Sequence, residues 1–133
     1  MRSPRLLVVK DNRAVRELWC DALTMRGYDP VPAENGAAAL AVYDPGSFDL
    51  VGTDLLMPGM SGWQVAEVIR ARTGIPIVVV TGSVAEEDTE RARARGIPLL
   101  QKPVKLADLG RVVDEALRGR SRTTSRVDQE PHA

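Results

Sequence analysis

The chain has 133 residues and 14.5 kDa, the size of one domain. Lys+Arg and Asp+Glu number 18 each, so the formal net charge is zero and no global pull toward nucleic acid or an anionic membrane follows. Hydrophobic residues reach 44% with 4% aromatic, which demands an aliphatic core, while a single cysteine (Cys20) and a single histidine (His132, at the C-terminal end) exclude an internal disulfide, cysteine-cluster zinc and Ser–His–Asp chemistry.

Met-Arg-Ser-Pro-Arg leads straight into the first strand with no signal-peptide h-region, and no run of about 18 apolar residues follows. A soluble cytoplasmic protein is the expectation. Leu6-Leu7-Val8-Val9 reads as a strand buried on both faces. Val15, Leu18, Trp19, Ala22 and Leu23 then form one apolar face of a helix, with Gly27 as its stop. Tyr28 to Val31 reads as a short second strand, placed at or near an edge by Pro30 and Pro32. Ala37 to Tyr43 is helical and ends at Asp44-Pro45-Gly46, and Phe48 to Thr53 is the third strand.

The alternation continues. Ser61-x-x-Gln64 is a capping-box pattern that opens a helix ended by Gly74. Ile75 to Val80 is the strongest strand. Ser83-x-x-Glu86 reads as a second capping box, and its helix is acidic early and basic late, in keeping with the helix dipole, with Gly96 as the stop. Leu99-Leu100 make a fifth strand, and Leu106, Leu109, Val113 and Ala116 mark a last amphipathic helix ended by Gly119. Residues 1–118 read as the domain and 119–133 as a disordered polar tail carrying arginines.

A βα unit repeated five times implies an α/β fold, a parallel five-stranded sheet with helices on both faces. Such sheets place their functional site at the carboxyl ends of the strands. Those ends carry Lys10-Asp11, Asp54, Thr81 and Lys102, each at or within two residues of the end of an apolar run. The set suits phosphoryl transfer to a carboxylate. Asp54 is the nucleophile, Asp11, Asp54 and the Leu56 backbone carbonyl are oxygen ligands for a divalent cation, Lys102 offsets phosphoryl charge, and Thr81 offers a hydroxyl.

The segment from Asp49 to Gly62, DLVGTDLLMPGMSG, together with Val80-Thr81-Gly82 and Lys102-Pro103, resembles the response-regulator receiver domain of two-component signalling over roughly residues 4–118. The resemblance implies a flavodoxin-like (βα)5 sandwich of strand order 2-1-3-4-5, an order for which a receiver protein is the standing example. It also implies a phosphorylated Asp54, Mg2+ in the site, and a cis peptide at Lys102-Pro103. Two positions depart from the family. Lys10 stands where the first of two acids is usual, so Asp11, Asp54, Lys10 and Lys102 sum to zero charge; weakened Mg2+ binding follows, with Lys10 either paired to Asp54 in the metal's place or swung into solvent. Leu99 stands where an aromatic ring is common, which breaks the usual threonine–aromatic relay.

The expectation is a single-domain regulator that accepts a phosphoryl group on Asp54 from a histidine kinase or histidine-phosphotransfer protein. The first helix is the docking face for the donor. The signal leaves through the face made by the fourth helix, fifth strand and fifth helix, as a monomer or weak homodimer, with no direct nucleic-acid or membrane contact. It is not an enzyme beyond catalysing its own phosphorylation and dephosphorylation. The alternative is a degenerate receiver that binds partners independently of phosphorylation. A phosphohydrolase is disfavoured because Leu56 stands where that chemistry needs a second acid. Trp19 reads as core or half-buried, Trp63 as surface or gate, and Cys20 as inert.

Overall fold

The run from Leu6 to Val9 needs cover on both faces, and alternate residues find it on opposite sides. In the computed structural model, Leu6 and Val8 pack with Trp19, Leu23, Leu109 and Val113, whereas Leu7 and Val9 pack with Val65, Ala66 and Ile69. The structure describes the backbone of residues 3–82 and 85–129, and the side chains of 3–82 and 85–119.

Five strands and five helices alternate along these residues. They are β1 (Arg5–Val9), α1 (Arg13–Met25), β2 (Asp29–Ala33), α2 (Gly36–Val42), β3 (Leu50–Asp54), α3 (Gly62–Arg72), β4 (Ile77–Thr81), α4 (Glu86–Arg95), β5 (Leu99–Gln101) and α5 (Leu106–Gln129). All four strand pairings are parallel, in the order β2-β1-β3-β4-β5. The proline-bearing β2 takes an edge, where a missing ladder donor costs least.

The helix ends follow from local chemistry. Asn12 caps α1 by accepting from the Val15 amide at 3.0 Å, and Ser61 with Gln64 forms the full capping box of α3. Gly96 closes α4 in the left-handed region at φ 64°. Two ends differ from the sequence reading. The N-cap of α4 is Ala85, with no side-chain cap, and Ser83 lies outside the described residues. Nor does Gly119 stop the last helix: α5 runs on to Gln129, so the chain is helical over 119–129 where a disordered tail was expected. One glycine in a helix costs only about 1 kcal/mol relative to alanine, and Gly119 is not among the positive-φ glycines that turn a chain out of a helix. Residues 130–133, including His132, lie outside the described residues. Among the described residues no helix is long and apolar enough to cross a membrane.

The end of α1 is tied to α5. Asp114 accepts from Arg26 at 2.9 Å and from the Tyr28 hydroxyl. The Arg26 hydrogen bond, joined by that of Tyr28, holds the Asp114 carboxyl below its ordinary pKa, while burial and then Asp114 push the Tyr28 phenol up to about 12. A depressed acid stabilises the fold above its unfolded pKa and loses that contribution as pH falls through the folded value. A raised phenol contributes below about pH 10 and loses it as pH climbs toward about 12. Asp114→Asn is therefore expected to lower the melting temperature at neutral pH, with the difference from the parent shrinking below about pH 4 in a thermal melt series.

Candidate functional site

Parallel strands all deliver their carboxyl ends to one rim. On that rim β1 hands over to Lys10 and Asp11, β3 ends on Asp54, β4 ends on Thr81, and β5 hands over to Lys102. The register fixes the neighbours. Asp54 lies opposite Val80 and Thr81 opposite Gln101, and the Lys102 amide donates to the Thr81 carbonyl at 2.8 Å. The Lys102-Pro103 peptide is cis. Every candidate except Asp11 and the Leu56 side chain sits below the surface or partly so. Asp54 is 2% exposed, Thr81 1% and Lys10 5%, whereas Leu56 is 68% exposed just past the strand.

Asp54 is gripped by two ammonium groups. Lys10 Nζ donates to Asp54 Oδ2 at 2.6 Å, and Lys102 Nζ lies 2.9 Å from Oδ1. The second contact is an ion pair without hydrogen-bond geometry, so Oδ1 is buried and accepts no hydrogen bond. Of the alternatives open for Lys10, the inward one is observed. Its amide donates to Ala33, its ammonium lies 5.8 Å from the centre of the Trp19 ring, and Asp11 Oδ1 is 3.7 Å away. Burial works against the Lys10 ammonium, but the Asp54 hydrogen bond and the charges of Asp54 and Asp11 outweigh it and hold its pKa above the ordinary lysine value.

Three contributors were not legible in the residue pattern. Arg16 donates to the carbonyls of Lys10 at 2.8 Å and Asp11 at 3.4 Å, fixing the turn that aims Lys10 inward. A base near the start of a helix opposes the dipole, and that misfit was the available clue. Thr53 is fully buried and donates from Oγ1 to the Asp54 carbonyl at 2.9 Å. Trp63, expected as a surface or gate residue, is instead 5% exposed within the core. Its Nε1 donates to Asp88 Oδ1 at 3.0 Å, and the Arg91 and Arg95 guanidinium groups lie 5.6 and 6.0 Å from the ring centre. It therefore joins α3, whose first residue Gly62 packs on the Asp54 backbone, to α4. Trp19 is buried, as one of its two expected placements had it, and burial pushes the Cys20 thiol up, which disfavours the reactive thiolate.

The donor set does not fit a divalent cation. Such an ion needs several oxygens around one point, and the space between Asp11 and Asp54 is held by the Lys10 ammonium. Among the described residues no group of three Asp, Glu, His or Cys side chains is placed to hold a metal. What the arrangement offers is a buried carboxylate under positive charge, with the hydroxyl-bearing Thr81 on the neighbouring strand. Beside it opens a cleft of about 570 Å³ whose lining includes Lys10, Leu18, Trp19, Lys102 and Leu106.

Comparison with known proteins matches residues 6–114 to the family model for the response regulator receiver domain. The transcriptional regulatory protein GlrR of Escherichia coli K12 is 35% identical over 118 residues, which cover 87% of this chain and 27% of GlrR. The sensory transduction protein RegX3 of Mycobacterium tuberculosis H37Rv is 35% identical over 83 residues, 62% of this chain and 37% of RegX3. This chain thus spans well under half the length of those relatives. Among solved structures, the non-phosphorylated HemR receiver domain of Leptospira biflexa superposes with a TM-score of 0.82 at 26% identity, covering 86% of this chain and 94% of that one. A response regulator receiver protein from Pseudomonas putida gives 0.76 at 32% identity, covering 86% and 98%.

Proposed function

Because the chain belongs to the response regulator receiver family, we propose that it accepts a phosphoryl group on Asp54 from a histidine kinase or phosphotransfer protein. The observation that carries this reading is the buried Asp54 carboxylate at the end of β3, held between two lysines beside Thr81. In the transfer an Asp54 oxygen forms the new P–O bond, the donor's P–N bond breaks, and the imidazole nitrogen keeps the electron pair and takes a proton from solvent. Lys102 is the movable cation: its side chain is 35% exposed against 6% for Lys10, so it can open the way to Asp54 and then settle on the phosphoryl oxygens.

The donor docks on α1 beside the 570 Å³ cleft, where Leu18 and Leu106 present exposed apolar surface. Output passes through the α4-β5-α5 face to another protein, by contacts that Trp63 ties to the site through Asp88. The chain works as a phospho-acceptor that at most catalyses its own phosphorylation and dephosphorylation, in the cytoplasm, without direct nucleic-acid contact. No step of this reading runs through Mg2+, which the family generally binds at this pocket.

A second reading, a module that binds partners without phosphorylation, is favoured by one observation. Both Asp54 oxygens are covered by ammonium groups and the residue is 2% exposed. Intact-mass spectrometry after incubation with acetyl phosphate or phosphoramidate separates the two. The first reading expects a single phosphoryl adduct, mapped to the Asp54 peptide and absent in a folded Asp54→Asn variant. No adduct from these donors or from a phosphorylated histidine-phosphotransfer protein would leave the second reading standing.

A further inference from the structure

We propose that the Lys10 ammonium is the resident cation of this site, standing where a divalent ion would bridge Asp11 and Asp54, so that the site takes no Mg2+. The inference rests on the reading of this cleft as a receiver site, and not on whether Asp54 is ever phosphorylated.

Position is the first support. Lys10 Nζ lies 2.6 Å from one carboxylate and 3.7 Å from the other, so it occupies the place from which both are reached. Anchoring is the second. A surface lysine yields to a competing ion by swinging its long stem into water. Lys10 is 5% exposed, its amide is bonded to Ala33, its carbonyl is held by Arg16, and its ammonium lies over the side of the Trp19 ring. Charge is the third. Asp11 and Asp54 are already balanced by Lys10 and Lys102, so an arriving dication meets two positive groups, the nearer of them anchored, and no net negative field. Mg2+ also holds its waters tightly and demands near-octahedral oxygen geometry, which one half-exposed and one ammonium-bonded carboxylate do not present.

The consequence is a site whose charge is set by the chain itself. An acid-rich site of the usual kind changes its electrostatics with the metal supply, whereas this one is expected to hold the same state with or without Mg2+. Lys10 is thus a positioning residue for Asp54: it fixes Oδ2 and leaves Oδ1, the oxygen without a hydrogen bond, under the more exposed Lys102.

The test is a titration with MgCl2 and MnCl2 alone, at constant ionic strength, by isothermal calorimetry and by Mn2+ quenching of tryptophan emission, since Trp19 lies beside Lys10. The parent is expected to give no saturable response. Lys10→Asp, which restores the usual pair of acids, is expected to bind at least about tenfold more tightly than any parent signal, a step of about 1.4 kcal/mol. Lys10→Met keeps the apolar stem without the charge; should Lys10→Asp fail to fold by circular dichroism, a gain of Mn2+ quenching in Lys10→Met over the parent carries the same result. Saturable millimolar binding by the parent, within tenfold of the Lys10→Asp chain, overturns the proposal. No phosphodonor enters the titration, so a chain that never accepts a phosphoryl group gives the same reading, and the failure of the two inferences is told apart.

Discussion

Asp54→Asn is expected to destabilise the fold by about 3 kcal/mol in urea denaturation at pH 7. A receiver in which acids crowd the site would gain from losing one charge. Here the loss leaves the Lys10 ammonium buried, with an amide in place of its anion. Breaking a buried ion pair from one side costs about 3–5 kcal/mol, and Asp11 at 3.7 Å retains enough compensation to place the effect at the lower end. Lys102 adds little, because its side chain is 35% exposed and reaches water. The cost carries a sign in pH. In the parent, the raised Lys10 pKa means that the pair's contribution is complete below the unfolded lysine pKa and fades as pH rises through the folded value. In the variant, burial is opposed chiefly by Asp11 and pulls the Lys10 pKa down, so the variant gains stability as pH rises through that value. The gap between the two chains should therefore close toward alkaline pH. The double variant Lys10→Met/Asp54→Asn should recover most of the loss at pH 7, and an equal cost in single and double variants would show that Lys10 does not need Asp54.

The location of the site was legible because it follows from topology. Leu6–Val9, Phe48–Thr53 and Ile75–Val80 could be read as strands, the first of them buried on both faces, and the rule for parallel sheets then brought Lys10, Asp11, Asp54, Thr81 and Lys102 to one rim. The strand bounds shifted by one or two residues, so that Asp54 and Thr81 close their strands instead of following them. What stayed hidden was contact between elements distant in sequence. Nothing around Ser61-Gly62-Trp63-Gln64 shows that the indole N–H meets Asp88 on another helix, and its place at the opening of a helix beside the site made Trp63 read as surface or gate. Arg16 reaches back to two carbonyls in the preceding turn, which no apolar periodicity reports. The choice for Lys10 between solvent and Asp54 depended on whether Trp19 and the surrounding turn would wall it in, and that is a property of packing. Gly119 shows the opposite error, a residue type taken as punctuation where nothing in the backbone turns.

Gly62→Ala tests how the Asp54 backbone is held, and it is expected to cost about 2 kcal/mol, inside the range for overpacking a filled site. A Cβ at residue 62 would clash with the Asp54 carbonyl oxygen and stand 3.0 Å from Leu55 Cα. These are backbone atoms at the buried end of β3, and the Gly62 amide is itself bonded to the Leu55 carbonyl at 2.7 Å. The helix cannot slide away, because Ser61 and Gln64 lock its first turn reciprocally. Alanine's better helix propensity returns about 1 kcal/mol at most, too little to offset contact with backbone that has nowhere to go. Gly119→Ala is the matched control: no heavy atom lies within 4 Å of its added Cβ, so the propensity gain stands alone and stability rises by up to about 1 kcal/mol. Because the strain falls on the peptide that carries Asp54, the Gly62 variant should also form the phosphoryl adduct more slowly than the Gly119 variant under the same donor. Equal stabilities and equal adduct rates in the two chains would show that the close approach of α3 to Asp54 does not hold the site.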